Sequence, residues 1–268
     1  MSEPLGKHCW YELMTTDTEA AGRFYSHVVG WNLFEPGGPH AGYTLLKVGD
    51  QGMGGMMKLP DEACAAGARP GWTGYIWVPE VEAAIAKVVA AGGKVHREPA
   101  DIPHVGRFAV VADPQGAVFT LFRHFGDQEA PPVPVNALGH VGWHELFAAD
   151  NKTALEFYAG QFGWEASEAL DMGPMGTYRL FTIRADQPGG QCGGMANKPD
   201  AFPQPVWLYY FNVDDIDAAV ARVKSAGGQV LMGPHEVPGG SMIIQGLDPQ
   251  GAMFALVDQT KATPRTSA

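Results

Sequence analysis

The 268 residues are 46% hydrophobic and 18% charged, which is enough apolar material for one large core or two ordinary ones and excludes a disordered chain. A formal net charge of -11 repels phosphate backbones and anionic lipid, so neither a nucleic-acid nor a membrane partner is expected. Three widely spaced cysteines (Cys9, Cys64, Cys192) without a CxxC, no signal-peptide pattern in MSEPLGKHCW and no membrane-length apolar run lead us to expect a cytoplasmic protein.

In chain order, a strand over His8–Met14 leads to Asp17, a good helix N-cap. Ala21, Phe24, Tyr25 and Val28 follow at the spacing of one helical face, and Gly30 supplies the stop. The late strands of this module include GMGGMM from Gly52. A second module starts with a strand over Trp72–Val78. Val81, Ala84, Ile85 and Val88 form its helical stripe, which Gly92-Gly93 ends. Strands are predicted near Lys94–Arg97, Arg107–Ala112 and Ala117–Phe122, the last two joined by an Asp-Pro-Gln-Gly turn.

The second half repeats this syntax. WYELMTTDTEAAGRFYSHVVGW from Trp10 aligns without gaps to WHELFAADNKTALEFYAGQFGW from Trp143, at an offset of 133. The strand-helix segment from Trp72 aligns with that from Trp207 at an offset of 135, and DPQGA from Asp113 recurs from Asp248. Helices are therefore predicted near Asp150–Phe162 and Asp214–Ala226. The repeat divides the chain into a first domain (1–124), a Pro-rich linker (125–138) that suits neither helix nor central strand, a second domain (139–260) and a disordered tail (261–268).

Four βαβββ modules, with FY before a Gly-Trp stop and DPxG in the last hairpin of each half, resemble the glyoxalase / bleomycin-resistance / extradiol-dioxygenase group, the vicinal oxygen chelate superfamily. The resemblance implies an α+β fold of two tandem domains, whose curved mixed sheets surround cavities. It also implies metal ligands at set positions: one on the first strand, seven residues before the capping acid, and one seven residues after the Asp of DPxG. Here those positions hold Trp10 and Trp143, then Thr120 and Ala255. The first strands of the second modules contain no His, and GMGGMM and QCGGMA supply neither Glu nor His. A transition metal needs imidazole, thiolate or carboxylate, so no metal is expected, with a divalent metal as the runner-up.

The other histidines do not make a site in print. In HVGWHE, His140 and His144 share a strand face but stand about 13 Å apart, and His144 and Glu145 point to opposite faces. The same arithmetic separates His8 from Glu12. His40, His104 and His235 fall in predicted loops.

The expected site is what the cavity-facing positions retain. If Trp10 holds a ligand position, Glu12 shares its face, as Glu145 shares that of Trp143. The two glutamates are the candidate catalytic or binding acids, because a carboxylate kept on such a face needs a partner or a task. Thr73, Tyr75 and Trp77 would line the first cavity, with Thr120 adding a hydroxyl; Leu208, Tyr210 and Asn212 would line the second. Met56 and Met195, which follow the Gly pairs, would adapt to varied ligands. Such a set predicts the binding of a small organic molecule in a metal-free aromatic cavity. The alternative is a lyase, isomerase or dioxygenase of the glyoxalase kind, metal-dependent or not, with Glu12 or Glu145 as base. No nucleophile elbow, Walker loop or dinucleotide fingerprint competes.

Overall fold

Each module begins with a strand and a helix, and in three of the four an Asp between them (Asp17, Asp150, Asp215) receives free helical N–H groups. The computed structural model describes residues 5–65, 67–126, 133–183 and 191–262. Its first module runs β1 (His8–Thr15), α1 (Thr18–Val28), β2 (Asn32–Phe34), β3 (Tyr43–Val48), β4 (Gln51–Lys58) and a short α2 (Asp61–Ala65). The second runs β5 (Gly71–Trp77), α3 (Val81–Ala90), β6 (Lys94–Ile102), β7 (Gly106–Ala112) and β8 (Val118–His124). In the second half these become β9 (Val141–Ala148), α4 (Asn151–Phe162), β10 (Glu165–Asp171), β11 (Thr177–Thr182) and β12 (Gln191–Asn197). The last module is β13 (Val206–Asn212), α5 (Ile216–Ser225), β14 (Gln229–Glu236), β15 (Met242–Leu247) and β16 (Met253–Asp258).

The expected caps form. Asp17 accepts from the Ala20 N–H at 2.9 Å, and Asp150 from those of Lys152 and Thr153. The strands build two eight-stranded mixed sheets, ordered β2-β3-β4-β1-β5-β8-β7-β6 and β10-β11-β12-β9-β13-β16-β15-β14, so the α+β class and the repeat agree with the sequence reading. In the expected linker, residues 127–132 lie outside the described residues, as do 263–268 of the tail. His235 falls on β14 rather than in a loop.

By contact density the chain forms two compact units that join modules from different halves. One comprises residues Met1–Cys9, Thr73–Pro132 and His144–Trp207; the other comprises Trp10–Trp72, Val133–Trp143 and Leu208–Ala268. The recurring Trp, Tyr and Asp of the sequence motifs explain each unit's cohesion. In the unit holding the first and last modules, the Trp72 indole N–H donates to the Tyr25 hydroxyl at 2.9 Å, and that hydroxyl bonds to Asp248 at 3.2 Å. In the other unit Trp207 donates to Tyr158 at 2.9 Å, and Tyr158 bonds to Asp113 at 3.2 Å. Each Asp also accepts two backbone N–H groups, from the Gln of its own DPQG turn and the Ala just after it. FY and DPxG, distant in sequence, thus meet in one buried hydrogen-bond chain that starts at a Trp indole, passes through the Tyr and ends at the Asp, and in it every donor finds an acceptor.

A second pair of tryptophans fixes the segments that precede β1 and β9. Trp164 donates to the Gly6 carbonyl at 3.0 Å within the first unit. Trp31 donates to the Gly139 carbonyl at 2.8 Å within the second. Gly6 has φ +85°, and a Cβ there would lie 2.7 Å from the Phe162 Cβ, so only glycine lets the chain approach this closely.

Candidate ligand site

Strand alternation sorts the predicted residues by face. On β1, Leu13 and Thr15 are fully buried on the helix side, which leaves Trp10, Glu12 and Met14 on the opposite face. Glu12 keeps part of its surface open. Three strands converge on it. Glu12 is the register partner of Gly55 on β4, and Met57, two residues on, is the partner of Tyr43 on β3. Gly55 has no side chain, so the Tyr43 ring lies across β4; a Cβ at Gly55 would be 2.1 Å from the Tyr43 hydroxyl oxygen. That hydroxyl is hydrogen-bonded to Glu12 and also receives the Trp10 indole N–H at 2.9 Å. The Trp10 ring in turn lies against Gly52, where a Cβ would be 3.2 Å from its edge. Burial, then the neighbouring Glu12 charge, holds the Tyr43 phenol well above its ordinary range, so it stays protonated.

Tyr43 was not among the sequence candidates. Its signal was present, because Tyr178 recurs at the same place in the repeat and the Gly pair recurs opposite it. On the second half, a Cβ at Gly194, the register partner of Glu145, would lie 2.3 Å from the Tyr178 ring. The Gly pairs are therefore where a tyrosine crosses the sheet. The methionines that follow them face the other way. Met56 is the partner of Leu13, and its terminal methyl lies against Gly22 of α1; Met195 is fully buried as the partner of Leu146.

The remaining predicted residues divide between the units. In one, Tyr75 and Thr120 are register partners and both buried, with Trp77 beside Phe122 and Thr73 at the less buried start of β5. The Tyr75 and Phe122 rings meet edge-on at 5.7 Å. In the other, Tyr210 is the partner of Ala255, and its hydroxyl receives the Gln245 amide N–H at 2.6 Å. Asn212, fully buried, donates to the carbonyls of Val135 and Ala137 and accepts from Gln259, so it anchors the end of the linker. Trp143 is partly exposed and Glu145 is buried, on the same face of β9.

His144 occupies the other face of β9. Its ring stacks on His8 at 4.1 Å within one unit, with Trp164 and Trp207 around His8 at 5.5 and 5.9 Å. His144 Nδ1–H donates to the Cys192 carbonyl at 2.9 Å, which sets its tautomer. Burial lowers both imidazoles: His144 to about 4, and His8 well below its usual value, with His144 adding to the effect on His8. Strand spacing separates His8 from Glu12 and His144 from His140; the fold instead brings together two histidines that no local spacing connects.

A separate cleft of about 480 Å³ lies at the start of α5, lined by Asp214, Asp217, Glu236 and Asp258 with Met242 and Lys261. At the matching positions of the first half, Arg107 bridges Glu82 and Asp101, and Arg123 pairs with Glu80.

With this geometry in hand, known proteins fall into place. A family model described as glyoxalase/bleomycin resistance protein/dioxygenase superfamily matches residues 137–256, and one described as glyoxalase-like domain matches 10–122. A protein of Mycobacterium tuberculosis named putative glyoxylase CFP32 is 32% identical over 253 residues, 92% of this chain and 93% of its own length. The chain belongs to the glyoxalase/bleomycin resistance protein/dioxygenase superfamily. The anthracycline biosynthesis protein DnrV of Streptomyces peucetius is 31% identical over 97% of this chain and 95% of its own length. Among solved structures, the Mn(II)-bound glyoxalase of Novosphingobium aromaticivorans has a TM-score of 0.65 at 16% identity, covering 98% of this chain and 87% of its own. The 2,3-dioxygenase LapB of Pseudomonas sp. KL28 has the same TM-score at 14% identity, covering 96% and 93%. At such identities these two carry the fold alone.

The superfamily's chelating positions can be tested against the residues present. A protonated indole nitrogen offers a metal no lone pair, and that of Trp10 donates to Tyr43 instead. Ala255 has no donor, and Thr120 is a buried hydroxyl beside Tyr75. Among the described residues no three His, Cys, Asp or Glu side chains gather as a ligand set. The residues at these positions do not fit a divalent cation. No described helix is long and apolar enough to cross a membrane.

Proposed function

We propose that this protein binds a small aromatic organic molecule without a chelated metal, with Glu12 as the polar contact. The observation that carries the reading is the Trp10–Tyr43–Glu12 array: the superfamily's first ligand position holds an indole committed to a tyrosine, and that tyrosine holds a carboxylate in the partly exposed face of β1. Aromatic side chains with a few fixed polar groups suit such a ligand. The likeness to anthracycline biosynthesis proteins over nearly the whole chain supports a planar aromatic ligand and makes an anthracycline a sensible first probe. Whether the protein stays in the cytoplasm, as its cysteines led us to expect, belongs with this reading and is open to direct fractionation.

A second reading is favoured by the relative named a putative glyoxylase: a lyase or isomerase in which Glu12 or Glu145 is the base. One experiment separates the two. Titration of the protein with an anthracycline, followed by tryptophan fluorescence, should show saturable binding. Glu12→Gln should weaken it by about 10- to 100-fold, the scale of a hydrogen bond to a charged group. A glyoxalase assay should show no turnover. Turnover that falls by about 10²-fold in Glu12→Gln or Glu145→Gln, with substrate binding intact, would replace binder with enzyme. Unchanged affinity in Glu12→Gln would remove Glu12 from the site.

A further inference from the structure

The array has a direction. A tyrosine hydroxyl carries one proton and accepts through its lone pairs; an indole N–H only donates. Since Trp10 Nε1–H already points at the Tyr43 oxygen at 2.9 Å, the hydroxyl proton is left to point at Glu12, its other hydrogen-bonded partner. The sheet enforces this geometry from three sides: β1 holds Trp10 and Glu12 on one face, β3 supplies Tyr43, and Gly55 on β4 opens the gap that the ring crosses. A carboxylate that receives a hydrogen bond is favoured in its ionised form, and an ionised carboxylate can only accept. Resting on the small-molecule reading above, we propose that Tyr43 is the positioning residue of this site. It fixes Glu12 as an acceptor and so selects ligands that offer a strong donor, in particular an organic ammonium group attached to an aromatic body. Trp10, beside that carboxylate, supplies a ring against which a cationic aromatic can lie. The net charge of -11 draws cations to the surface in general, and the array gives one of them a fixed partner.

Tyr43→Phe keeps the ring that fills the space over Gly55 and removes the directing proton, and it is read out in two ways. The first needs no ligand. The carboxyl 13C resonance of Glu12, identified by its absence in Glu12→Gln, is titrated in wild type and variant. The midpoint should rise in Tyr43→Phe by about one pH unit, the usual scale for loss of a hydrogen bond to a charged group. Trp10→Phe, which lets the Tyr43 hydroxyl rotate, should raise it less. The second uses 2-phenylethylamine and 2-phenylethanol, matched in size, as probes. Wild type should prefer the amine by roughly tenfold, and Tyr43→Phe should lose most of that preference. A Glu12 midpoint that does not move would overturn the role of Tyr43, whatever the probes do. A moved midpoint with equal affinity for amine and alcohol would overturn the selectivity. If the midpoint moves but the protein binds no aromatic probe of any kind, the small-molecule reading itself fails.

Discussion

Strands β1 and β9 descend from one sequence, WYEL and WHEL, yet they present different chemistry on both faces. On one face, Glu12 remains partly exposed beside Tyr43 while Glu145 is buried. On the other, Tyr11 of β1 meets Tyr209 edge-on at 5.2 Å within its unit, whereas His144 of β9 stacks on a second imidazole. What the copies share instead is the buried Trp–Tyr–Asp chain, with the same distances of 2.9 and 3.2 Å in both units. Duplication kept the hydrogen bonds that join modules and let the strand faces diverge. The framework is therefore set by the shared residues, and the strand faces are where the halves differ.

The largest expected effect comes from the stacked imidazoles, one contributed by each strand, and is read by pH. Folding keeps His144 neutral, so its pKa falls from about 6.5 in the unfolded chain to about 4 in the folded one. The folded state then binds fewer protons in that window. The penalty for keeping the imidazole neutral is therefore absent above about pH 6.5 and grows as pH falls towards 4, where stability is lost. At 1.36 kcal/mol per unit, His144 alone amounts to about 3 kcal/mol, and His8, lowered in the same direction, adds to it. Urea unfolding at pH 7 and again near pH 4.5 should show the loss. His144→Gln, which can still donate to the Cys192 carbonyl, should flatten the slope. An equal slope in that variant would mean that carboxylates elsewhere, not this pair, govern acid sensitivity.

The next effect tests what the halves share. Tyr25→Phe and Tyr158→Phe each leave a buried indole N–H without its acceptor and an Asp without its hydroxyl donor. Each should lower unfolding free energy by about 1–3 kcal/mol, and by similar amounts. The Asp carboxyls sit above their ordinary pKa because burial outweighs the hydrogen bonds they accept. A loss in one unit that is several-fold larger than in the other would break the claimed equivalence.

The module order, the helix caps and the DPQG turns were legible in the sequence because each rests on local spacing: a 3.6-residue stripe, an acid before it, a turn between strands. The Trp-Glu pair on β1 was also legible, as alternation alone places both on one face. Tyr43 was not, although Tyr178 repeats it. Its ring reaches Glu12 across an intervening strand, and only the register of Glu12 with Gly55 reveals the path. Register also turns Met56 to the helix side with Leu13, where the sequence placed it with the ligand residues. The joining of modules from different halves in each compact unit was illegible for a physical reason: two copies of nearly the same module offer nearly the same surfaces, and sequence does not say which copy a helix will meet. The stacked His8 and His144 follow from that joining.

We propose that a scaffold shared with a Mn(II)-bound glyoxalase here binds an organic molecule through Trp10, Tyr43 and Glu12 rather than through a metal. The most direct measurement is equilibrium binding of an anthracycline to one protein preparation, divided and treated either with EDTA or with an equivalent of Mn(II). The account predicts the same dissociation constant in both. Binding that disappears with EDTA and returns with Mn(II) would contradict it.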